Sequence, residues 1–194
     1  MKKLLARLWL ALTGWSVEVT RPQTDHFVLL AAPHTTNWDL PYMLAAAWSA
    51  DISPAWIGKH TLFGPWTGWL FRFLGGIPVD RTHRSDAVQQ VIRIFAERRA
   101  LHLTIAAEGT RRRTEHWKSG FYWMAHGAGV PIAFGFLDYA RKVAGIGPTL
   151  ETSGDPEKDM DEIRSFYQDI EGRHPAGFGP IRLREETERA THRG

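Results

Sequence analysis

The 194 residues contain no cysteine. That excludes disulfides, thiolate metal sites and a cysteine nucleophile, and leaves the redox compartment open. No apolar run approaches the roughly 18 residues that a membrane-spanning helix needs, so the chain is expected not to span a bilayer. Neither sign of charge dominates, with 24 Lys and Arg against 21 Asp and Glu. Also missing are a GxSxG elbow and an HExxH pair, which removes two common hydrolase readings.

What is present suits one globular domain, since 43% of the residues are hydrophobic and the length supports a single substantial core. The basic residues cluster, as RTHR at 81–84, ERR at 97–99, TRRR at 110–113 and ARK at 140–142. Such clusters attract phosphates or an anionic membrane, or else form solvated faces.

The opening MKKLLARLWLALTGW begins like a signal peptide, but Arg7 interrupts its apolar part and no small-residue cleavage site follows. On a helical projection Leu4, Leu5, Leu8, Trp9, Leu12 and Trp15 share one side, with Lys2, Lys3, Arg7 and Thr13 opposite and Leu10 out of pattern. Residues 1–16 are therefore expected to form an amphipathic helix lying in a membrane interface, the alternative being a helix packed on the domain.

Short apolar runs then alternate with segments of helical period, the pattern of an α/β domain with a central mixed, mostly parallel sheet flanked by helices. Strands are expected at 27–32, 55–58, 77–79, 102–107 and 131–137, and helices at 39–50, 86–99, 119–128 and 156–171. Glycine and proline in GKHTLFGPWTGW, LGGIPVD and GIGPT mark turns. The main domain is expected over 17–184, with a disordered tail at 185–194 that lacks apolar content.

The stretch AAPHTTNWDL places His34 just past an apolar run and Asp39 five positions on. A neutral imidazole can take a proton from an alcohol if a carboxylate fixes its tautomer and stabilises the imidazolium. The blander alternative is a hydrogen-bonded histidine at a strand end and a first-turn aspartate. No protein nucleophile stands beside the pair, so the attacking hydroxyl would belong to a substrate.

With HTTNWD in front, LGGIPVDR (74–81), IAAEGTRRR (105–113) and KSGFYWMAHGAGVPIAF (118–134) resemble, in order, the four blocks of the glycerolipid acyltransferases, over roughly 27–137. The segment WKSGFYWMAHGAGVPIAFGFLDYARK is similar to a small bacterial subgroup of that family. The resemblance implies His34 as catalytic base, Asp39 as its partner, and Glu108 positioning the acceptor hydroxyl. It implies that Arg81 and Arg111, with Gly109 and Thr110, bind the acceptor phosphate, and that Val130 and Pro131 belong to the acyl side and to packing. Lys118 is a further candidate for phosphate binding, or a surface lysine. Guanidinium forks suit phosphate oxygens, in keeping with the two arginines.

Two positions depart from the commonest third block: Ala107 stands where proline is usual and Arg112 where serine is usual. They bear on the acceptor more than on the reaction. The implied donor is acyl-CoA or acyl-carrier protein, with no metal and no resident cofactor. The implied acceptor is a lysophospholipid or glycerol phosphate, in phospholipid biosynthesis at the cytoplasmic face of the inner membrane.

Three rivals stand beside this reading: a non-catalytic lipid-binding protein of the same fold, an acyltransferase for a non-glycerol lipid, and a phosphate-ester hydrolase. A nucleic-acid binder is disfavoured, because the basic clusters lie among catalytic-looking blocks and form no recognised binding motif. Trp56, Trp66 and Trp69 with Leu70, Phe71 and Phe73 form an aromatic group suited to an acyl groove, to a bilayer contact or to core packing. Trp38 is expected to brace the catalytic turn.

Overall fold

The computed structural model describes residues 1–80 and 84–187. Helix α1 (Lys2–Thr13) ends at Gly14, whose left-handed φ of 72° closes the last turn. Strand β1 (Ser16–Val19) and the central β2 (His26–Ala32) follow, then α2 (Asp39–Ser49), β3 (Pro54–Lys59), the short α3 (Gly68–Phe73) and β4 (Gly76–Val79). Helix α4 (Arg84–Glu97), β5 (Leu101–Ile105), α5 (Gly120–Ala128), the hairpin β6 (Ile132–Asp138) and β7 (Val143–Leu150), and α6 (Pro156–Tyr167) complete it.

One seven-stranded sheet runs in the order β1-β7-β6-β2-β5-β3-β4. All pairings are parallel except β6 with β7. Strand β2 lies between β5 and β6 and is buried on both faces, which is why its run FVLLAA shows no polar alternation. Val28, Leu30 and Ala32 pack under α4, α5 and α6, while Phe27 and Leu29 face α2. The result is an α/β domain with helices on both faces.

Four expectations need correction. GIGPT is not a turn but part of β7: Gly145 lies against the Glu18 carbonyl and Gly147 against the Phe166 ring, where a Cβ would collide. Pro148 falls where the β6–β7 register shifts, so its missing N–H disturbs no regular ladder. GKHTLFGPWTGW, expected as a turn from its glycines and proline, runs at its end into a helix over 68–73. Residues 185–187, expected in the tail, belong to a helical turn in which Glu186 meets Arg164 at 2.8 Å and Glu185 accepts from Ser119. The rest of the tail lies outside the described residues.

The fourth concerns α1. Ala6 and Leu10 are its buried residues, packed with Trp15 against Ala45 and Ala46 of α2. Leu10, out of pattern on the projection, is thus the docking contact. Trp15, expected at the interface with lipid, stacks instead on Tyr42 with centroids 4.4 Å apart. Leu4, Leu5, Leu8 and Leu12 face outward. Among the described residues, no helix is long and apolar enough to cross a membrane.

Candidate active site

His34 stands two residues past the end of β2, behind the cis peptide Ala32–Pro33, at the carboxyl end of the sheet where open α/β sheets hold their ligands. Its Nδ1 lies 3.0 Å from Asp39 Oδ2. The same oxygen accepts the backbone N–H of Thr35 at 3.0 Å and of Thr36 at 3.1 Å. A carboxylate oxygen only accepts, so a neutral imidazole in this contact carries its proton on Nδ1 and its free lone pair on Nε2. The structure thereby gives the pair a base-ready tautomer. Asp39 is the first residue of α2, so the turn that orients the imidazole is also the start of a helix.

Glu108 follows β5, the parallel neighbour of β2, and both its oxygens accept the His34 backbone N–H, at 3.1 and 2.9 Å. Burial pushes its carboxyl up to about 7, against the opposing pull of that N–H and of the His34 charge. Glu108 therefore grips the backbone of the His34 turn, a role that the sequence pattern does not convey. Gly109 has a φ of +65°, and a Cβ there would run into the Lys118 side chain, so glycine serves both conformation and space. Lys118 donates its backbone N–H to Ala107 at 2.9 Å, which lays its chain over the loop.

His34, Asp39, Glu108, Gly109, Thr110, Arg111 and Lys118 all border one cavity of about 1450 Å³. Seven of the ten expected site residues are thus brought together. Arg81 lies outside the described residues. Val130 and Pro131 are buried at the start of β6, at the opposite end of that strand from His34, and neither borders the cavity. Val130 packs in the core, and the Pro131 carbonyl accepts the Val28 N–H.

Residues 16–133 match the model of the Acyltransferase family. The chain belongs to the acyltransferase family. A solved structure with the same fold is that of the 1-acyl-sn-glycerophosphate (LPA) acyltransferase PlsC from Thermotoga maritima. It is 17% identical, with a TM-score of 0.57, and the match covers 87% of this chain and 74% of that one. No curated protein matches.

Two parts of this acyltransferase's site lie beyond the matched residues. Tyr139, just past β6, donates its hydroxyl to Asp39 Oδ1 at 2.8 Å and sits edge-on to Trp15 at 4.9 Å. Burial and the Asp39 carboxylate push its phenol well above the ordinary range, so it stays protonated and donates to Asp39. The segment 171–177 crosses the catalytic turn: Gly172 packs on Pro33 and Thr35, and the His174 N–H reaches Thr35 Oγ1 at 3.2 Å. Arg173 lies over the half-exposed Trp38 ring at 5.7 Å, which braces the turn from outside. Only the tyrosine at a strand end offered any local signal for these contacts. Among the described residues no three His, Asp or Glu side chains converge as a metal site.

Proposed function

We propose that this acyltransferase moves a fatty acyl group from a thioester, acyl-CoA or acyl-carrier protein, to the hydroxyl of a glycerol phosphate or lysophospholipid. The observation that carries the reading is the His34–Asp39 contact, which leaves Nε2 free at the wall of a cavity bordered by Arg111 and Lys118. Nε2 takes the acceptor's hydroxyl proton as its oxygen attacks the thioester carbon. The tetrahedral intermediate collapses with cleavage of the C–S bond, an ester forms, and the imidazolium returns the proton to the leaving thiolate. Arg111 and Lys118, with Arg81, hold the acceptor phosphate, and Gly109 and Thr110 let the loop approach it.

Leu4, Leu5, Leu8 and Leu12 on the outer side of α1, next to Lys2, Lys3 and Arg7, suit the plane of an anionic membrane, and the protein works there as a peripheral enzyme. The thioester donors place this at the cytoplasmic face.

The test is thiol release from acyl-CoA and acyl-carrier protein with glycerol 3-phosphate, lysophosphatidic acid and other lysolipids, for wild type and His34→Ala. Acceptor-dependent release that is lost in the variant supports the reaction and names the acceptor. Unchanged release in folded His34→Ala removes the histidine from the mechanism.

A further inference from the structure

The cavity floor on the α2 side of the sheet is made of small side chains. Leu29, Thr104 and Trp56 are register neighbours on β2, β5 and β3 and share that face, and the cavity also touches Ala31, Gly135 and the α2 alanines 46 and 47. On that face Ala31, Thr104 and Gly135 stand among Leu29 and Trp56 and leave a trough where larger residues would have filled a core. At one end of it stand Phe71 and Leu74, in and just after α3. Phe71 meets Trp56 edge-on at 5.9 Å, and the Trp56 indole N–H is held by the Leu74 carbonyl at 3.0 Å.

The other side of the same segment is apolar too, and open. Trp66 is 88% exposed, Trp69 68% and Phe73 58%, with Leu62 and Leu70 beside them. A six-residue helix that packs one apolar side on a cavity and presents another to solvent is not an ordinary surface helix. Residues 59–79 contain no Asp or Glu and carry Lys59 and Arg72, and residues 1–17 likewise contain no acid and carry Lys2, Lys3 and Arg7. The two stretches meet, because the Lys2 ammonium lies 4.2 Å from the centre of the Phe73 ring and 5.2 Å from that of Trp48. Indoles flanked by cations, with Lys3 alone paired to an acid, Asp51, match the headgroup level of an anionic bilayer.

We propose that α3 and the turn before it are a second membrane-docking element, which seats the trough against the bilayer so that the acyl chain of a membrane-resident lipid passes by Phe71 and Leu74 towards His34. This rests on the acyl-transfer reading only for the identity of the cargo. The docking itself stands on the exposed aromatic face and its continuity with α1.

The experiment compares wild type, Trp66→Ser/Trp69→Ser/Phe73→Ser and Leu4→Ser/Leu8→Ser/Leu12→Ser, each checked for an unchanged melting transition. Co-sedimentation uses vesicles of phosphatidylcholine with and without phosphatidylglycerol. Transfer is followed with a long-chain lysolipid in those vesicles and with a short-chain, water-soluble acceptor. The α3 variant is expected to lose about tenfold in vesicle affinity, since interfacial aromatic side chains carry much of such binding. Its KM for the vesicle-borne acceptor rises by a similar factor, and kcat/KM for the soluble acceptor stays unchanged.

Vesicle binding and KM that match wild type would overturn the proposal, with loss confined to the α1 variant assigning docking to α1 alone. Equal losses on soluble and vesicle-borne acceptors would overturn it as well, pointing to damage in the trough. If wild type transfers to no acceptor, the catalytic reading fails while co-sedimentation still decides whether α3 docks.

Discussion

The turn that carries Asp39 and the loop that carries Glu108 place two buried carboxyl groups on the same histidine, yet equip them differently. Asp39 accepts from the His34 ring, two backbone N–H groups and the Tyr139 hydroxyl. Glu108 accepts one backbone N–H across both oxygens, and burial holds its carboxyl near 7. Two carboxyl groups buried to the same degree thus differ in the number of donors aimed at them. The first group fixes the His34 ring from the side, and the second, with its carboxyl pushed up to about 7, holds the backbone of the same turn.

Removing the better-supplied side of this contrast has the largest effect. Asp39→Asn keeps the shape but turns an acceptor into a group that presents an amide to Nδ1, which favours the wrong tautomer. By analogy with the aspartate of a catalytic triad, kcat should fall by about 10³- to 10⁴-fold. Single-turnover transfer reads this directly, and a loss below about tenfold would mean that Asp39 does not set the tautomer.

Glu108→Gln probes the poorly supplied side. The folded protein holds that proton up to about 7, against 4.5 for the ordinary group. Between those values the folded state binds more protons than the unfolded chain, so stability is fully present below pH 4.5 and declines as pH rises through 7. A shift of this size corresponds to at most about 3 kcal/mol. Denaturant unfolding from pH 4.5 to 8 should therefore show a decline in wild type that Glu108→Gln flattens; parallel curves would show that Glu108 ionises in the fold as freely as in the unfolded chain.

Gly109→Ala tests why the Glu108 loop can lie so close to Lys118. The left-handed φ and the collision with the lysine side chain both oppose a methyl group, for a cost of about 1–2 kcal/mol. Melting temperature measures the strain. A KM for the phosphate-bearing acceptor that rises with little change in kcat would place the displaced lysine at the phosphate.

Much of this was legible because short-range chemistry wrote it. The five strands found from apolar runs and the short motifs that hold His34 and Glu108 depend on neighbours in sequence. The missed elements depend on distant partners. β7 carries glycines because Glu18 and Phe166 crowd it, and α1 turns Leu10 inward because the alanines of α2 leave it room. Tyr139 reaches Asp39 across 100 residues, and segment 171–177 is tied to Thr35 across 139. No local period encodes such contacts. The aromatic group at 56–73 illustrates the boundary: its composition was plain, but its division into cavity-facing Trp56 and Phe71 and outward Trp66, Trp69 and Phe73 follows only from the fold.

The smallest effect separates orientation from packing on the Asp39 side. Tyr139→Phe keeps the ring edge-on to Trp15 and removes one of four donors, leaving Asp39 Oδ2 and its bond to His34 in place. Loss of a hydrogen bond to a charged acceptor costs about 1.5–3 kcal/mol when nothing replaces it, and water can reach the half-buried phenol, so a decrease of severalfold in kcat is expected. The informative reading is the pH profile. If the hydroxyl acts on the His34–Asp39 pair, the acid limb of kcat should move in Tyr139→Phe while the melting temperature changes little. If the limb stays where it is and only the melting temperature drops, Tyr139 serves the aromatic cluster of Trp15 and Tyr42 and has no part in tuning the base. A shifted limb would instead tie the catalytic pair to the residue that anchors the end of α1, and would make the seating of that helix part of how His34 is held.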